Sequence, residues 1–266
     1  MAVGGRLGSV MADVTNSFDL TEKTVVVTGG ASGIGTGISD VLAQAGASVV
    51  IADIDLAKAR HEAGLLIASS YMAAAVQIDV ADEASIVRGC AEIVGAHGAP
   101  WALVNNAGLQ DRELLLESTA AEWDRMNAVN GRGPLLMTRE IARAMVAGGQ
   151  GGRIVNIASA ALIGSLVRGL AAYAGSKGAL LGLSRASALE LAEHAITVNT
   201  ILPGGVATPG AIGARGPPAD GPARRTPPLG RCEPRDIGAA VLFFVSPAAR
   251  HVTNQVLAVD AGWSVT

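Results

Sequence analysis

The run Thr24-Val25-Val26-Val27-Thr28-Gly29-Gly30-Ala31-Ser32-Gly33-Ile34-Gly35 restricts this chain more than any other. A β-rich segment enters a glycine-rich turn and leaves into a helical pattern that ends near Gly46, the strand, turn and helix order of a βαβ unit. Glycines at 29, 33 and 35 exceed what an ordinary strand-to-helix loop needs. They let a bulky anion approach the first helical N–H groups, where the helix dipole favours negative charge. A pyrophosphate is such an anion, so Gly29, Ser32, Gly33, Ile34 and Gly35 are candidates to hold a dinucleotide. Asp53, eighteen residues beyond Gly35, closes a second strand-like run, Ser48-Val49-Val50-Ile51-Ala52, with Ile54 beside it. A carboxylate there accepts from adenosine ribose hydroxyls and repels an added 2′-phosphate, so NAD is expected over NADP. Asp55 reads as the N-cap of the following helix.

Short apolar runs near 24–28, 48–52, 73–78, 101–105, 153–158, 196–201 and 255–259 alternate with helical segments. That rhythm predicts an α/β fold: one Rossmann-type, doubly wound domain over 20–266, with a seven-stranded parallel sheet flanked by helices. Half of the 266 residues are hydrophobic, enough for one substantial core. Residues 1–19 read as a flexible extension; their glycines and serines break any apolar run, and Arg6 is their only positive charge, which makes a poor signal peptide. Ligands of such sheets bind beyond the strands' carboxyl ends. Gly29, Asp53, Asp79, Asn105, Ser159 and Pro203 all fall at or just after those ends, so one edge collects the chemistry. A net charge of −3 argues against nucleic acid as a partner. No run of eighteen apolar residues offers a membrane span. Cys90 and Cys232 fit neither a disulfide framework nor a metal site, and a reducing cytoplasm suits them.

Tyr173 and Lys177 stand four residues apart, stacked on one helix face. A free phenol near pKa ~10 is a poor base at neutral pH, and a desolvated cation beside it favours the phenolate. Such pairs also arise on helix surfaces, where the tyrosine packs and the lysine is solvated. Asn105-Asn106-Ala107-Gly108 after the fourth strand and Ser159 after the fifth complete the pattern. With these motifs, in this order and spacing, residues 20–264 resemble the classical short-chain dehydrogenase/reductase family.

The resemblance implies a catalytic set of Ser159 to position the substrate oxygen, Tyr173 as acid and base, Lys177 as phenol-tuning cation and ribose contact, and Asn130 as fourth member. It also implies cofactor contacts from Asp79 and Val80, from Asn106, Ala107 and Gly108, and from Pro203, Gly204, Val206 and Thr208, with Asn105 stabilising the central strand. A homotetramer is implied as well. In that family the helix kinks at the asparagine, whose carbonyl holds a water of the proton path. Here Pro134, four residues on, has no N–H for the Asn130 carbonyl.

The family's substrate lid falls at 207–231, where Pro209, Pro217, Pro218, Pro222, Pro227 and Pro228 predict an irregular segment. Its Arg215, Arg224, Arg225 and Arg231 are either solvated charge or recruiters of an anionic substrate group. Leu109, Ala160, Ala161 and Leu162 suggest an apolar pocket, with Gln110 as a polar contact. Ser159 lacks the Gly-x-Ser-x-Gly surroundings of a nucleophile, and His61, His97, His194 and His251 lie away from the strand edge, which leaves a hydrolase without a base. The expected activity is NAD-dependent interconversion of a small-molecule secondary alcohol and its ketone. Two alternatives stand beside it. An NADPH-preferring ketoreductase, such as a 3-oxoacyl thioester reductase, is opposed by Asp53. A non-catalytic dinucleotide-binding scaffold would not need Ser159, Tyr173, Lys177 and Asn130 intact.

Overall fold

The computed structural model describes residues 16–164, 166–208, 213–221 and 226–265. Arg224, Arg225, Pro209 and Pro222 lie outside the described residues, as does most of the N-terminal extension. Seven strands form one parallel sheet: β1 Thr24–Thr28, β2 Ser48–Asp53, β3 Ala73–Gln77, β4 Ala102–Asn105, β5 Gly152–Ile157, β6 Ile196–Pro203 and β7 Val256–Val259. Their spatial order is β3-β2-β1-β4-β5-β6-β7. The chain winds outward from β1 in one direction, then restarts at β4 in the other, so the loops after β1 and β4 part and leave a crevice at the sheet's carboxyl edge.

Every strand expected from the apolar runs is present. The differences lie at the ends: β2 includes Asp53 and β6 extends to Pro203. Because helices cover both faces, the central strands carry apolar residues without alternation. Val25, Val27, Val49, Ile51 and Val104 meet α1 (Ile34–Gln44), α2 (Leu56–Ala68) and α7 (Pro234–Val245). Val26, Val50, Leu103 and Ile154 meet α3 (Glu83–His97), α5 (Gly133–Gly148) and α6 (Ala171–Leu191).

The segment carrying Asn130 is not one uninterrupted α-helix. After α4 (Ala120–Asn127), residues Ala128–Arg132 make a π-helical turn in which the Gly133 N–H donates to the Ala128 carbonyl, five residues back. Gly133 and Pro134 then open α5. A proline on the first helical turn costs nothing there, and the π turn takes up the break that Pro134 imposes. A Cβ on Gly133 would stand 2.6 Å from the Val80 carbonyl, so glycine lets this helix approach the loop after β3.

Candidate active site

The cofactor side of the crevice is assembled by short loops that hold one another. Gly29 (φ 61°) and Gly33 (φ 56°) adopt left-handed backbone, which L side chains disfavour. A Cβ on Gly35 would fall 2.1 Å from the Gly29 carbonyl, so the first turn of α1 can lie on the glycine turn only without a side chain. Thr28 and Asn106 pin the two loops at the switch point. The Thr28 hydroxyl accepts from the N–H groups of Asn106 (3.0 Å) and Ala107 (3.1 Å), while Asn106 Nδ2 donates to the carbonyls of Thr28 (3.0 Å) and Gly29 (3.1 Å).

Asp53 ends β2 with its carboxylate on the crevice wall, accepting from Ala31 N–H at 3.2 Å and Asp55 N–H at 3.1 Å. Asp55 caps α2 through Lys58 N–H. Asp79 accepts from Ala81 N–H at 2.9 Å. Below the floor, Asn105 donates to Thr138 Oγ1 (3.1 Å) and Asn156 Oδ1 (2.8 Å), and Asn156 donates to Ser184 Oγ. This buried network ties β4 and β5 to α5 and α6.

These loops enclose a cleft of about 550 Å³. Gly29, Ser32, Gly33, Ile34, Asp53, Ile54, Asp79, Val80, Asn106, Ala107 and Gly108 line it, together with Ser159, Tyr173, Lys177, Pro203, Gly204, Val206 and Thr208. Leu109 and Gln110 also line it, whereas Ala160, Ala161 and Leu162, expected in an apolar pocket, do not. Of the expected catalytic and cofactor-binding residues, two stand behind the wall. Gly35 serves packing, and Asn130 is fully buried.

At the alcohol end, Ser159 follows β5, and its Oγ accepts from Ala161 N–H at 3.1 Å. Tyr173 and Lys177 come from the first turns of α6. Burial pushes the Tyr173 phenol above its ordinary value, opposed by a hydrogen bond with Ser159. Burial also pushes the Lys177 ammonium down to about 8. Lys177 Nζ donates to the Ile157 carbonyl at 2.8 Å and lies 6.0 Å from the centre of the Tyr173 ring. Desolvation is the largest influence on both groups, and at Tyr173 the influence of Ser159 opposes it. Gly108 lies between Lys177 and Asn130; a Cβ there would stand 3.3 Å from Lys177 Nζ and 3.2 Å from Asn130 Oδ1.

Asn130 turns its side chain to the loop after β4. Its Oδ1 accepts from Leu109 N–H (2.8 Å), and its Nδ2 donates to the Leu109 carbonyl (2.9 Å) and to Ser176 Oγ (3.0 Å). Ser176 Oγ donates in turn to the Tyr173 carbonyl at 2.7 Å. The reading from sequence missed Ser176, although its place three residues after Tyr173 put it on the same helix face. It also missed Asp111, Gly213, Ala214 and the backbone around Ile157 as parts of the cleft.

Residues 213–221 and 226–231 are irregular, as the prolines imply. Arg215 reaches the cleft. Among the described residues no histidine lines the cleft. Among them, too, no helix is long and apolar enough to cross a membrane.

Residues 29–264 match the family model described as enoyl-(acyl carrier protein) reductase. The chain is 37% identical to a sorbitol dehydrogenase of Cereibacter sphaeroides over 91% of its own length and 98% of that protein's. A structure of a 3-ketoacyl-(acyl-carrier-protein) reductase from Brucella melitensis complexed with NADH superposes with a TM-score of 0.84 at 33% identity, covering 92% of this chain and 100% of the other. A gluconate 5-dehydrogenase from Burkholderia cenocepacia in complex with NADP and tartrate superposes with a TM-score of 0.86 at 30% identity, covering 95% and 99%.

Proposed function

Because this chain belongs to the classical short-chain dehydrogenase/reductase family, and so is an oxidoreductase using a nicotinamide dinucleotide, we propose that it interconverts a secondary alcohol and its ketone with NAD. The observation that carries this reading is the juxtaposition, in one cleft, of Ser159, Tyr173 and buried Lys177. A nicotinamide held in this cleft would supply hydride exchange with the carbinol or carbonyl carbon. Tyr173 takes the hydroxyl proton in oxidation and gives it back in reduction. Ser159 holds the substrate oxygen at the phenol, which is positioning and electrostatic stabilisation without covalent attack. Lys177, held by the Ile157 carbonyl, supplies a cation at the cofactor's ribose. Asn130 and Ser176 fix the Tyr173 backbone and the Leu109 loop, which sets where the phenol points.

The residues fit a dinucleotide: Gly29 and Gly33 line the cleft with the positive φ of a tight turn, Gly35 lets the first turn of α1 lie against that turn, and the Asp53 carboxylate lies on the cleft wall where the adenosine would sit. A 2′-phosphate would meet that carboxylate, which favours NAD over NADP. A second reading, reduction of a 3-oxoacyl thioester, is favoured by the likeness to the Brucella reductase; the proton chemistry would be the same.

We place the enzyme in the cytoplasm. Its two cysteines are buried free thiols, and burial pushes Cys90 up to about 12, which suits a reducing compartment. Exposed Val256 and Leu257 on the edge strand β7 support assembly with further copies, as a homotetramer. The test is a panel of neutral polyols, cyclic alcohols, hydroxy acids and a 3-oxoacyl thioester, each with NAD(H) and NADP(H), followed by nicotinamide absorbance. Turnover of secondary alcohols with NAD is the expected result. Turnover of only the thioester with NADPH would replace this reading with the second.

A further inference from the structure

Beyond the proton chemistry, the alcohol end of the cleft contains a charged clasp. Asp111 lines the cleft with its side chain only 13% exposed, and donors converge on it. The Arg215 backbone N–H donates to Oδ1 at 2.7 Å, the Arg125 guanidinium donates to Oδ2, and Arg215 Nε stands 3.6 Å from that same oxygen. Arg125 is braced in turn by both carboxylate oxygens of Glu122, at 2.9 and 2.7 Å. Arg112 continues the attachment. Its N–H donates to the Arg215 carbonyl at 2.9 Å, and its guanidinium donates to the carbonyls of Pro217 (2.7 Å) and Ala214 (3.4 Å). A Cβ on Gly216 would fall 1.8 Å from the Arg112 carbonyl, so only glycine lets the lid backbone lie this close.

The strip that carries the clasp is anchored at both ends. Glu113 N–H donates to the Gly169 carbonyl at 3.0 Å, next to Leu170, which opens the helix bearing Tyr173. At the other end Asn130 holds both backbone groups of Leu109. The lid segment 213–217 is thus fastened to a strip positioned by the site itself.

We propose that Asp111 is a specificity-determining residue: it fastens lid residues 213–217 over the alcohol end and matches the Arg215 charge, so that the cleft takes uncharged, hydroxyl-bearing substrates and turns away anionic ones. Charge-assisted hydrogen bonds make this attachment stronger than a neutral pair would. An anionic substrate seeking Arg215 has to compete with a carboxylate already beside it and is repelled by that carboxylate, whereas a hydroxyl can donate to its remaining lone pairs. Of the four lid arginines weighed as anion recruiters, Arg215 stands beside the Asp111 carboxylate, with its side chain 77% exposed. The substrate class rests on the alcohol–ketone reading; the fastening of the lid does not.

Two variants test it. Asp111→Asn keeps an oxygen for the Arg215 N–H and removes the charge; Asp111→Ala removes both. Steady-state kinetics would compare a neutral polyol with the hydroxy acid of the same carbon skeleton. The asparagine variant should shift the ratio of the two kcat/KM values toward the acid by about tenfold, chiefly through KM. In the alanine variant, amide hydrogen exchange at Arg112 and Arg215 should accelerate by about tenfold in the protein without substrate. An unchanged ratio in the asparagine variant, or a wild-type enzyme that prefers the acid, overturns the selectivity; unchanged exchange in the alanine variant overturns the clasp. If no alcohol at all is oxidised, the alcohol–ketone reading falls with its substrate class, and the exchange comparison still decides whether Asp111 fastens the lid.

Discussion

The two halves of the cleft are built in different ways. The cofactor half comes from loops that directly follow β1, β2, β3 and β4, and its contacts are largely between backbone and short side chains such as Thr28, Asn106 and Asp53. The alcohol half is held by charged side chains and by lid backbone that belongs to no strand end: Asp111 with Arg215, Arg112 with Pro217, and Glu113 with Gly169. The first half is a property of a topology, whereas the second depends on which side chains a particular sequence places on three loops. One scaffold can therefore keep its cofactor while its substrate changes.

The cofactor half is the easier to break. Gly35→Ala should destabilise the protein by about 3 kcal/mol and sharply weaken NADH binding, because its Cβ meets backbone atoms of Gly29 and Gly30 that cannot yield. Gly64→Ala, on an exposed stretch of α2 with open space at the new Cβ, should instead be neutral or stabilising. Urea unfolding of both variants checks the contrast, and equal effects would contradict the tight-turn argument.

Lys177 belongs to the seam between the halves, and it carries a pH signature. Its folded value of about 8 lies below the ordinary 10.5, so between those values the unfolded chain binds more protons and stability rises with pH. Relative to Lys177→Met, the wild type should gain up to about 3 kcal/mol across that window. Parallel pH profiles of unfolding for the two proteins would show that Lys177 is not desolvated.

Asp53→Ala sharpens the comparison without breaking it. The ratio of kcat/KM for NAD over NADP should fall by about tenfold, since the ribose acceptor and the repulsion disappear together. The same change should leave the polyol-over-acid preference of the alcohol half unaltered. Pro134→Ala carries the smallest expected effect. By restoring an N–H within reach of the Asn130 carbonyl, it should leave thermal stability equal or higher and lower kcat by a few-fold, with little change in KM for NAD. An unaltered kcat would remove Pro134 from the proton path.

What was legible in the sequence follows the same division. Strands β1 to β7, the glycine turn and the position of Asp53 are local patterns of apolar runs and backbone freedom, and they stand where the sequence puts them. Pro134 signalled a break near Asn130, but not that a π turn over Ala128–Arg132 would absorb it. The spacing of Tyr173 and Lys177 put them on one helix face, but the depth at which both are buried depends on the loops packed over them and is not written in the spacing. The Asp111 clasp had no local signal at all, since its partners lie 14 and 104 residues away in the chain.

The central claim is hydride transfer with Tyr173 handling the proton, and isotope transfer tests it most directly. A secondary alcohol turned over by the enzyme, deuterated at the carbinol carbon, would be incubated with NAD, and the nicotinamide product analysed by mass spectrometry. Wild type should place the deuterium on the nicotinamide ring, while Tyr173→Phe should bind NADH normally and form the labelled product at least about a hundredfold more slowly. Reduced cofactor without deuterium, or labelling by the phenylalanine variant at the wild-type rate, would contradict the account.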